Sequence, residues 1–292
     1  MKIIIKIVES INYWILEILH IIIFFERCIS NGARQPFKYR KTHSGNFTVL
    51  ANGPSLKHTL ATFKEKGFPN DTEYSVMNFF AFTPEFCMMK PRYYCLADPM
   101  FCRENFRIND VRKLYSILQN DVDWPMKLFI PRWFLKENFS KMSNLTNPNI
   151  EIIVLNSRAY EGQNKKIKMF LYKSGLSLPC DTVAQVCIYI GINMGYDKIN
   201  LYGMEHTFFK NLIVDKECRL CSVEEHFYEN KHELKPLLRN INGQQYLVSE
   251  YMLQMGKMFE THDILNEYAD RLGCKILNYT PETMIDSYER IS

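Results

Sequence analysis

The stretch T-V-L-A-N-G-P-S-L-K-H-T-L, residues 48–60, decides how the chain folds. Its apolar half predicts a short buried strand, and the residues from Leu56 to about Lys66 predict a helix. The turn Asn52-Gly53-Pro54-Ser55 joins the two and brings backbone N–H groups, an amide and a hydroxyl to the start of that helix. Anions bind at helix N-termini, so the turn is a candidate phosphate site, although a plain turn with Ser55 as N-cap explains it equally well.

Short apolar runs alternate with helical segments from about residue 46 onward. Such alternation is typical of an α/β protein with a doubly wound, mostly parallel sheet, whose ligands bind beyond the carboxyl ends of the strands. The strands are predicted at 47–51, 74–78, 92–98, 127–131, 150–155, 198–203 and 274–279. The helices are predicted at 56–66, around 83–89, 183–194 and 244–272.

Polar residues stand at the ends of several predicted strands, where such a ligand would bind. Asn78 and Asp98 end the second and third strands, and Glu205 and His206 follow the sixth. The pair Asp98-Pro99 is also a common start of a turn. Thr182 precedes an apolar helix and is expected to cap it, and a helix N-terminus that faces the cleft could also hold a phosphate oxygen or a sugar hydroxyl.

Residues 204–245, here called the lid, interrupt the alternation with a long aromatic and charged segment. Such segments often cover an active site. The lid histidines His206 and His226 are candidate general bases for an acceptor hydroxyl, and Tyr228 is a candidate donor to a leaving phosphate. A structural or surface histidine is about as common for either one taken singly. One C-x-x-C pair, Cys218 and Cys221, does not predict zinc, and no metal site is expected.

Residues 3–25 are strongly apolar but place their polar side chains on one narrow helical face. That face carries Lys6, Glu9, Asn12, Tyr13, Glu17 and His20. Charges at mid-depth disfavour a spanning helix, so the segment predicts a helix in a membrane interface or against a partner subunit. A long core helix is the alternative. The basic residues between Arg27 and Lys41 suit an anionic inner leaflet.

The composition limits the classes of function. The 292 residues are 47% hydrophobic, which is enough for a sizeable core. A net charge of +4 without a long basic block argues against a nucleic-acid partner. Nine cysteines without regular spacing indicate reduced thiols and a cytoplasmic protein.

Several patches together resemble a known group of enzymes. They are V-L-A-N-G-P-S-L, V-M-N-F-F, L-A-D-P-M-F and V-C-I-Y-I-G-I-N-M-G-Y-D-K-I-N-L-Y-G-M-E. The sequence resembles the bacterial sialyltransferases that build lipooligosaccharide caps. It is also similar to the motility-associated flagellin glycosyltransferases and the MptE-like 6-hydroxymethylpterin diphosphokinase domains, which share N-G-P-S-L. The resemblance lies in patches between about residues 47 and 286.

The sialyltransferase resemblance implies a single GT-A-like Rossmann domain with a lid, inverting transfer from CMP-activated sialic acid, and no metal or other cofactor. In that family the N-G-P-S turn and the next strand-end Asn hold the nucleotide sugar. By resemblance, Asp98-Pro99 corresponds to an Asn-Pro and Thr182 to a turn that touches the donor. The expected nucleotide-sugar-binding residues are therefore Asn52, Gly53, Pro54, Ser55, Asn78, Asp98, Thr182 and Glu205.

The sequence departs from the sialyltransferase pattern at three places. Pro179 and Cys180 stand where that family has its catalytic Arg, and the sequence Gly203-Met204-Glu205-His206-Thr207 lacks a phosphate-binding Tyr. The stretch 255–259, where the catalytic His should lie, has none. His226 or His206 is expected to substitute. The expected sugar is accordingly an acidic one, either sialic acid or another nonulosonate, or a Kdo-like sugar.

The first hypothesis is an inverting, metal-independent glycosyltransferase that uses a CMP-activated acidic sugar and a glycan or glycolipid acceptor. His226, His206 and Tyr228 are its candidate catalytic residues. It would be peripheral on the inner face of the bacterial cytoplasmic membrane through residues 3–25, with a homo-oligomer left open. The expected parts are the helix 1–30, a linker 31–45 and the catalytic domain 46–292.

Two other hypotheses stay open. One is an MptE-like diphosphokinase that transfers diphosphate from ATP to a small alcohol, with Mg²⁺ held by Asp98 and Glu205. The other is a non-catalytic scaffold of polysaccharide assembly. Magnesium-dependent ATP binding would favour the first of these. Full activity of Asn52→Ala and His226→Ala variants would favour the second.

Overall fold

A computed structural model describes residues 2–30, 32, 36–104, 107–179, 181–223, 234–239 and 243–291. Its strands are β1 Asn46–Leu50, β2 Thr72–Met77, β3 Tyr93–Cys95, β4 Met126–Pro131, β5 Ile150–Leu155, β6 Lys198–Tyr202, β7 Leu212–Val214, β8 Leu220–Val223, β9 Leu234–Pro236, β10 Lys275–Asn278 and β11 Glu289–Arg290. Its α-helices are α1 Lys2–Ser30, α2 Leu56–Lys66, α3 Glu85–Met89, α4 Ile108–Asn120, α5 Phe139–Ser143, α6 Lys165–Ser174, α7 Val183–Met194 and α8 Val248–Arg271. Short 3₁₀ helices cover Phe80–Phe82, Pro99–Phe101 and Arg132–Lys136.

The central sheet has eight parallel strands in the order β11-β10-β6-β1-β2-β3-β4-β5. The chain adds β2 to β5 on one side of β1 and then returns to add β6 on the other side. Thr48 of β1 therefore lies between Tyr74 of β2 and Asn200 of β6. The strand order reverses between β1 and β6, which creates a crevice at their carboxyl ends. The predicted α/β fold with a Rossmann-like parallel sheet is confirmed.

Helices cover both faces of this sheet. On one face α7 and α8 form a core with residues such as Ile188, Ile190 and Leu265, and on the other α2 and α4 contribute Leu60 and Leu114. Helix α7 is apolar all round, and every residue from Ala184 to Met194 is buried. This central position fixes the N-terminus of α7 relative to the carboxyl ends of β1 and β6.

The third strand differs from the prediction at its end. It was expected over residues 92–98 and ends at Cys95. The reason is local, because Asp98 Oδ1 accepts a hydrogen bond from the Met100 N–H at 3.0 Å and starts the 3₁₀ helix that follows. The other predicted strands and helices lie within about four residues of the observed bounds.

The lid forms a small antiparallel sheet of β7, β8 and β9 over its described residues. Leu212 of β7 pairs with Ser222 of β8, and Val223 pairs with Leu234 of β9. Residues 224–233 lie outside the described part of the chain, and with them the predicted catalytic residues His226 and Tyr228.

Helix α1 contacts the body with its polar face. The buried Glu17 carboxylate accepts hydrogen bonds from Tyr160 Oη at 2.6 Å and from the Gln163 and Asn164 N–H groups at 3.1 and 3.0 Å. Phe24 and Cys28 pack near Tyr160 and Leu171. The apolar face consequently points outward. The alternative of a long core helix is wrong, because most of α1 is exposed.

Candidate functional site

Residues that follow β1, β2 and β6 meet at one pocket in the crevice. Its walls also include the N-terminus of α7 and the lid residues Asn211 and Ser222. Seven residues predicted from the sequence line this pocket: Asn52, Gly53, Pro54, Asn78, Thr182, Glu205 and His206. The prediction that strand-end polar residues converge on one crevice is therefore matched by the geometry, and we call this the switch-point pocket.

Glycine is required at position 53 because two turns touch there. The Gly53 N–H donates to the Gly203 carbonyl oxygen at 2.8 Å. A Cβ on Gly53 would lie 2.6 Å from that same oxygen and 1.6 Å from Glu205 Oε2. Gly203 itself has φ +66°, a left-handed conformation that glycine adopts readily. The turn after β1 and the turn after β6 thus form one compact unit.

The N-terminus of α2 already holds an anion, and that anion is the Glu205 carboxylate. Glu205 Oε1 accepts a hydrogen bond from the Ser55 N–H at 2.6 Å. Ser55 occupies the N-cap position, but its hydroxyl makes no capping hydrogen bond. The Glu205 carboxylate of the chain itself therefore occupies the place where the sequence predicted a ligand phosphate. Capping by the Ser55 hydroxyl is wrong, because that hydroxyl makes no capping hydrogen bond and the Ser55 N–H donates to Glu205.

The loop after β10 holds Glu205 in place. The Met204 N–H donates to Thr280 Oγ1 at 3.0 Å, and Thr283 Oγ1 donates to the Met204 carbonyl at 2.8 Å. The Met284 N–H donates to the Glu205 carbonyl at 2.8 Å. Nothing in the sequence around 280 signals this support, because it arises only when β10 pairs with β6.

Five polar atoms at this site are buried without a hydrogen-bond partner. They are Asn52 Oδ1, Asn78 Oδ1, Glu205 Oε2 and His206 Nε2, whose residues line the pocket, and Ser55 Oγ, whose residue does not line it. A buried polar atom left without a partner costs about 1–3 kcal/mol, so a ligand that supplies hydrogen bonds to this cluster is favoured. All five can accept a hydrogen bond, which makes hydroxyl and amino groups the complementary ligand chemistry.

His206 is buried in the wall of the switch-point pocket and has φ +51°. Burial lowers the pKa of its imidazole to about 4, so the ring is neutral at physiological pH. A neutral imidazole can accept a proton from a hydroxyl group.

His262 of α8 lies edge-to-face with His206, with 5.0 Å between the ring centroids and 70° between the ring planes. Its Nδ1 is 2.8 Å from Tyr288 Oη, and its pKa is lowered by burial and then by the neighbouring His206. The sequence search around 255–259 missed this histidine, which lies only three residues beyond. To identify His262 from the sequence, one would need to know which side of α8 faces the sheet and that α8 contacts the turn after β6.

The N-terminus of α7 is the second helix start at the switch-point pocket. Thr182 Oγ1 accepts from the Gln185 N–H at 3.3 Å, and Gln185 Oε1 accepts from the Thr182 N–H at 3.2 Å, so the predicted capping role is confirmed. Val183 and Ala184 line the pocket. As the first two residues of the helix, they have N–H groups without an acceptor inside it. These groups and the helix dipole favour a bound anion.

Asp98 does not line the switch-point pocket. Its carboxylate caps the 3₁₀ helix Pro99–Phe101, in keeping with the turn interpretation of Asp98-Pro99. His226 and Tyr228 lie outside the described residues, so their predicted roles stay predictions. Within the described chain, the fold and this pocket define a Rossmann-like α/β protein with a polar pocket at the switch point of its sheet.

Comparison with known proteins assigns no family to the chain. No family model matches it, and no curated protein matches it. Among solved structures, the chain is similar to the Bordetella bronchiseptica enzyme WbmH in complex with NAD+, at 9% sequence identity and a TM-score of 0.22. The match covers 82% of this chain and 56% of that one, so the chain spans little more than half of that structure. A likeness of this degree has no weight for fold or function.

Proposed function

We propose that the chain is an inverting glycosyltransferase that transfers an acidic sugar from a CMP-activated donor to a glycan or glycolipid acceptor. One observation carries the proposal. The switch-point pocket combines a cluster of unpartnered acceptor atoms with the open N-terminus of α7. A CMP-sugar carries the complementary groups, which are ribose and sugar hydroxyls, a cytosine amine and one phosphodiester.

Only one of the two helix N-termini beside the pocket is open to the donor phosphate. The Ser55 N–H is bound to Glu205, so the α2 N-terminus is not open to a phosphate. The donor phosphate would therefore bind at Val183 and Ala184 of α7. Donor hydroxyls would then donate to Asn52 Oδ1, Asn78 Oδ1 and Glu205 Oε2, the atoms without partners. This arrangement also keeps the donor's negative charge away from the Glu205 carboxylate.

His206 is the proposed general base. Its neutral imidazole would take the proton from the acceptor hydroxyl while the hydroxyl oxygen bonds to the anomeric carbon and the bond from that carbon to the CMP phosphate breaks. CMP leaves with the bonding electrons, and the α7 N-terminus stabilises the growing phosphate charge. A pKa of about 4 makes a weak base, but the anionic donor would raise it on binding. His226 remains the other candidate base.

One observation favours a second function. Glu205 Oε2 is a carboxylate oxygen without a partner beside the turn after β1, as a Mg²⁺-dependent diphosphate transfer would require. Asp98, the other predicted Mg²⁺ ligand, does not line the pocket. Of the two acidic Mg²⁺ ligands expected for the MptE-like reaction, only Glu205 therefore lines the switch-point pocket.

We place the enzyme on the inner face of the cytoplasmic membrane as a peripheral protein. Helix α1 is long and apolar enough to cross a membrane, and only 11% of its most apolar window is buried in the protein. Its basic neighbours from Arg27 onward suit an anionic leaflet.

The test is a transfer assay with the full chain and EDTA present. CMP-sialic acid, another CMP-nonulosonate and CMP-Kdo are each supplied with a lipooligosaccharide acceptor, and CMP release and acceptor mass are measured. We expect CMP release with at least one donor, and an inverted anomeric linkage by NMR. No CMP release from any donor, together with Mg²⁺-dependent AMP formation from ATP and a small alcohol, would establish the second function instead.

A further inference from the structure

A second pocket lies where the C-terminal part of α1 meets the carboxyl ends of β4 and β5. Cys28 of α1 forms one wall. The other walls carry three cationic side chains, Arg132, Lys136 and Arg158, together with Trp133, Asn156 and Ser157. Among the described residues that line it, none is acidic. We call it the basic pocket, and none of its residues belongs to the switch-point pocket.

Hydrogen bonds fix the walls of the basic pocket. Arg132 Nε donates to Asn156 Oδ1 at 3.0 Å, and the buried Asn156 in turn donates to the Gly175 carbonyl at 3.0 Å. Lys136 Nζ lies 3.5 Å from the Ser30 carbonyl at the end of α1. The hydrogen bond to Asn156 fixes the plane of the Arg132 guanidinium, a planar group whose geometry suits phosphate oxygens.

The surface that adjoins the basic pocket is apolar and cationic. Fifteen large apolar side chains of α1 are 41–80% exposed. Helix α6 packs near α1 through Ile167 and Leu171 and exposes Phe170 at 66%. Four lysines lie on the same helix: Lys165, Lys166, Lys168 and Lys173. Apolar and aromatic side chains next to clustered lysines match the chemistry of an anionic bilayer surface.

Contacts with the body limit how α1 can meet a bilayer. Residues 2–16 include no buried side chain, but Glu17, Phe24 and Cys28 are buried against the body. A membrane-spanning helix needs about 20 residues, and every stretch of that length within α1 includes Glu17. Crossing by α1 would therefore require Glu17 to leave its three hydrogen bonds. Lying in the plane of the interface requires no such loss.

We infer that the basic pocket binds the phosphate of an anionic lipid headgroup while α1 lies in the membrane interface. The inference rests on the proposed membrane location but not on the proposed sugar chemistry. Charge complementarity identifies the occupant, because the three cations lie in a pocket that α1 lines with Cys28, and α1 exposes many large apolar side chains. The lipid phosphate would contact Arg132, Lys136 and Arg158, with its acyl chains beside the apolar face of α1.

The test is binding of the full chain to vesicles of phosphatidylcholine alone or with phosphatidylglycerol. Arg132→Gln/Arg158→Gln is compared with Lys57→Gln/Lys66→Gln, an equal charge change on exposed residues of α2. We expect the pocket variant to weaken binding to anionic vesicles roughly 30-fold and the control less than about threefold, since each basic residue at the surface is worth about 1 kcal/mol. Arg158→Gln alone, at an exposed side chain, is expected to lose about fivefold.

Three results would overturn the inference. The first is an equal loss of affinity for anionic vesicles in the two double variants, and the second is equal binding of the wild type to neutral and anionic vesicles. The third is competition by millimolar inorganic phosphate at constant ionic strength, which would identify free phosphate as the ligand. Circular dichroism verifies that each variant is folded. Extraction of the chain from membranes by alkaline carbonate supports an interfacial α1, whereas resistance to it indicates a spanning helix and contradicts the orientation. CMP binding stays unchanged in all variants, so failure here is separable from failure of the proposed function.

Discussion

The two edges of the parallel sheet carry polar clusters of opposite character. At the amino edge, near the starts of β2 and β3, Glu73 accepts hydrogen bonds from the Tyr93 and Tyr196 hydroxyls and from Arg92. His43 stacks on Tyr196 at 4.9 Å between ring centroids. At the carboxyl edge, by contrast, polar atoms of five residues are buried without partners.

The comparison separates stability from function. The hydrogen bonds at the amino edge stabilise the fold, and they lower the pKa of Glu73 although burial alone would raise it. The polar atoms at the carboxyl edge have no hydrogen-bond partner within the described chain, and a ligand can supply donors to them. Substitutions at the amino edge should therefore change stability alone, and substitutions at the carboxyl edge should change ligand binding or catalysis.

The largest expected effect is on catalysis at the carboxyl edge. His206→Ala should lower kcat by about 10²- to 10⁴-fold, the usual contribution of a general base. Truncation of this buried ring also leaves a cavity, so circular dichroism and thermal unfolding verify that the variant is folded under the assay conditions. The matched control is His43→Ala at the amino edge, which should keep full kcat. Equal kcat in wild type and His206→Ala would transfer the role of base to another residue.

The second expected difference between the two edges is in how the free energy of unfolding depends on pH. The pKa of His206 is about 4 when folded and near 6.5 when unfolded, so the unfolded state binds more protons between these values and stability falls as pH drops from 6.5 to 4. The loss from this group totals roughly 3 kcal/mol. Glu73 has a lowered pKa, so its contribution is lost only below about pH 4.5.

Urea unfolding at pH 7, 6, 5 and 4 measures that difference. The His206→Asn variant should lose less stability than wild type between pH 6.5 and 5, and Glu73→Gln should follow wild type over that range. Parallel curves for wild type and His206→Asn would show that His206 is not held neutral by the fold.

At the amino edge, Glu73→Ala should lower the free energy of unfolding by about 2 kcal/mol, because two tyrosine hydroxyls lose their acceptor. Glu73→Gln should recover part of this loss, since its carbonyl oxygen still accepts. CMP affinity, measured by calorimetry, should be unchanged in both variants. A tenfold weaker CMP affinity in Glu73→Ala would show that the two edges are coupled.

The smallest expected effect is at Asn52. Asn52→Ala should weaken CMP binding about fivefold to tenfold, the value of about one hydrogen bond, and change stability by less than about 0.5 kcal/mol. Tyr93→Phe at the amino edge should give the reverse, with about 1 kcal/mol lost in stability and the same CMP affinity. An equal loss of stability in Asn52→Ala and Tyr93→Phe would contradict the proposed difference between the two edges.

Most of the fold was predictable from local signals. Helix α2 has the predicted bounds because Asn52-Gly53-Pro54-Ser55 precedes it and Gly67 ends it, and α7 because Thr182 and Gly195 cap it. Helices α4, α5 and α6 and the short strand β11 were not predicted. The residue before α4, Arg107, has a left-handed conformation and gives no capping signal. The antiparallel sheet in the lid was also missed, because its strands are only three or four residues long.

The location of the switch-point pocket was predictable, whereas its internal pairing was not. Strand-end positions bring Asn52, Asn78 and His206 together in any sheet of this topology. The contact between Glu205 and the Ser55 N–H joins residues 150 positions apart, and it depends on the close approach of the Gly53 and Gly203 turns. The neighbourhood of His206 and His262 likewise requires the packed position of α8. Such contacts are set by tertiary structure and leave no local sequence pattern.

The most direct test of the central claim is isothermal titration calorimetry of the full chain with CMP and a CMP-activated acidic sugar, in EDTA. Wild type should bind both, the sugar nucleotide more tightly, and Asn52→Ala should bind each about fivefold to tenfold more weakly. No heat with either ligand, together with tight binding of ATP or NAD+ in the same buffer or with Mg²⁺, would contradict a CMP-sugar site at the carboxyl edge of the sheet.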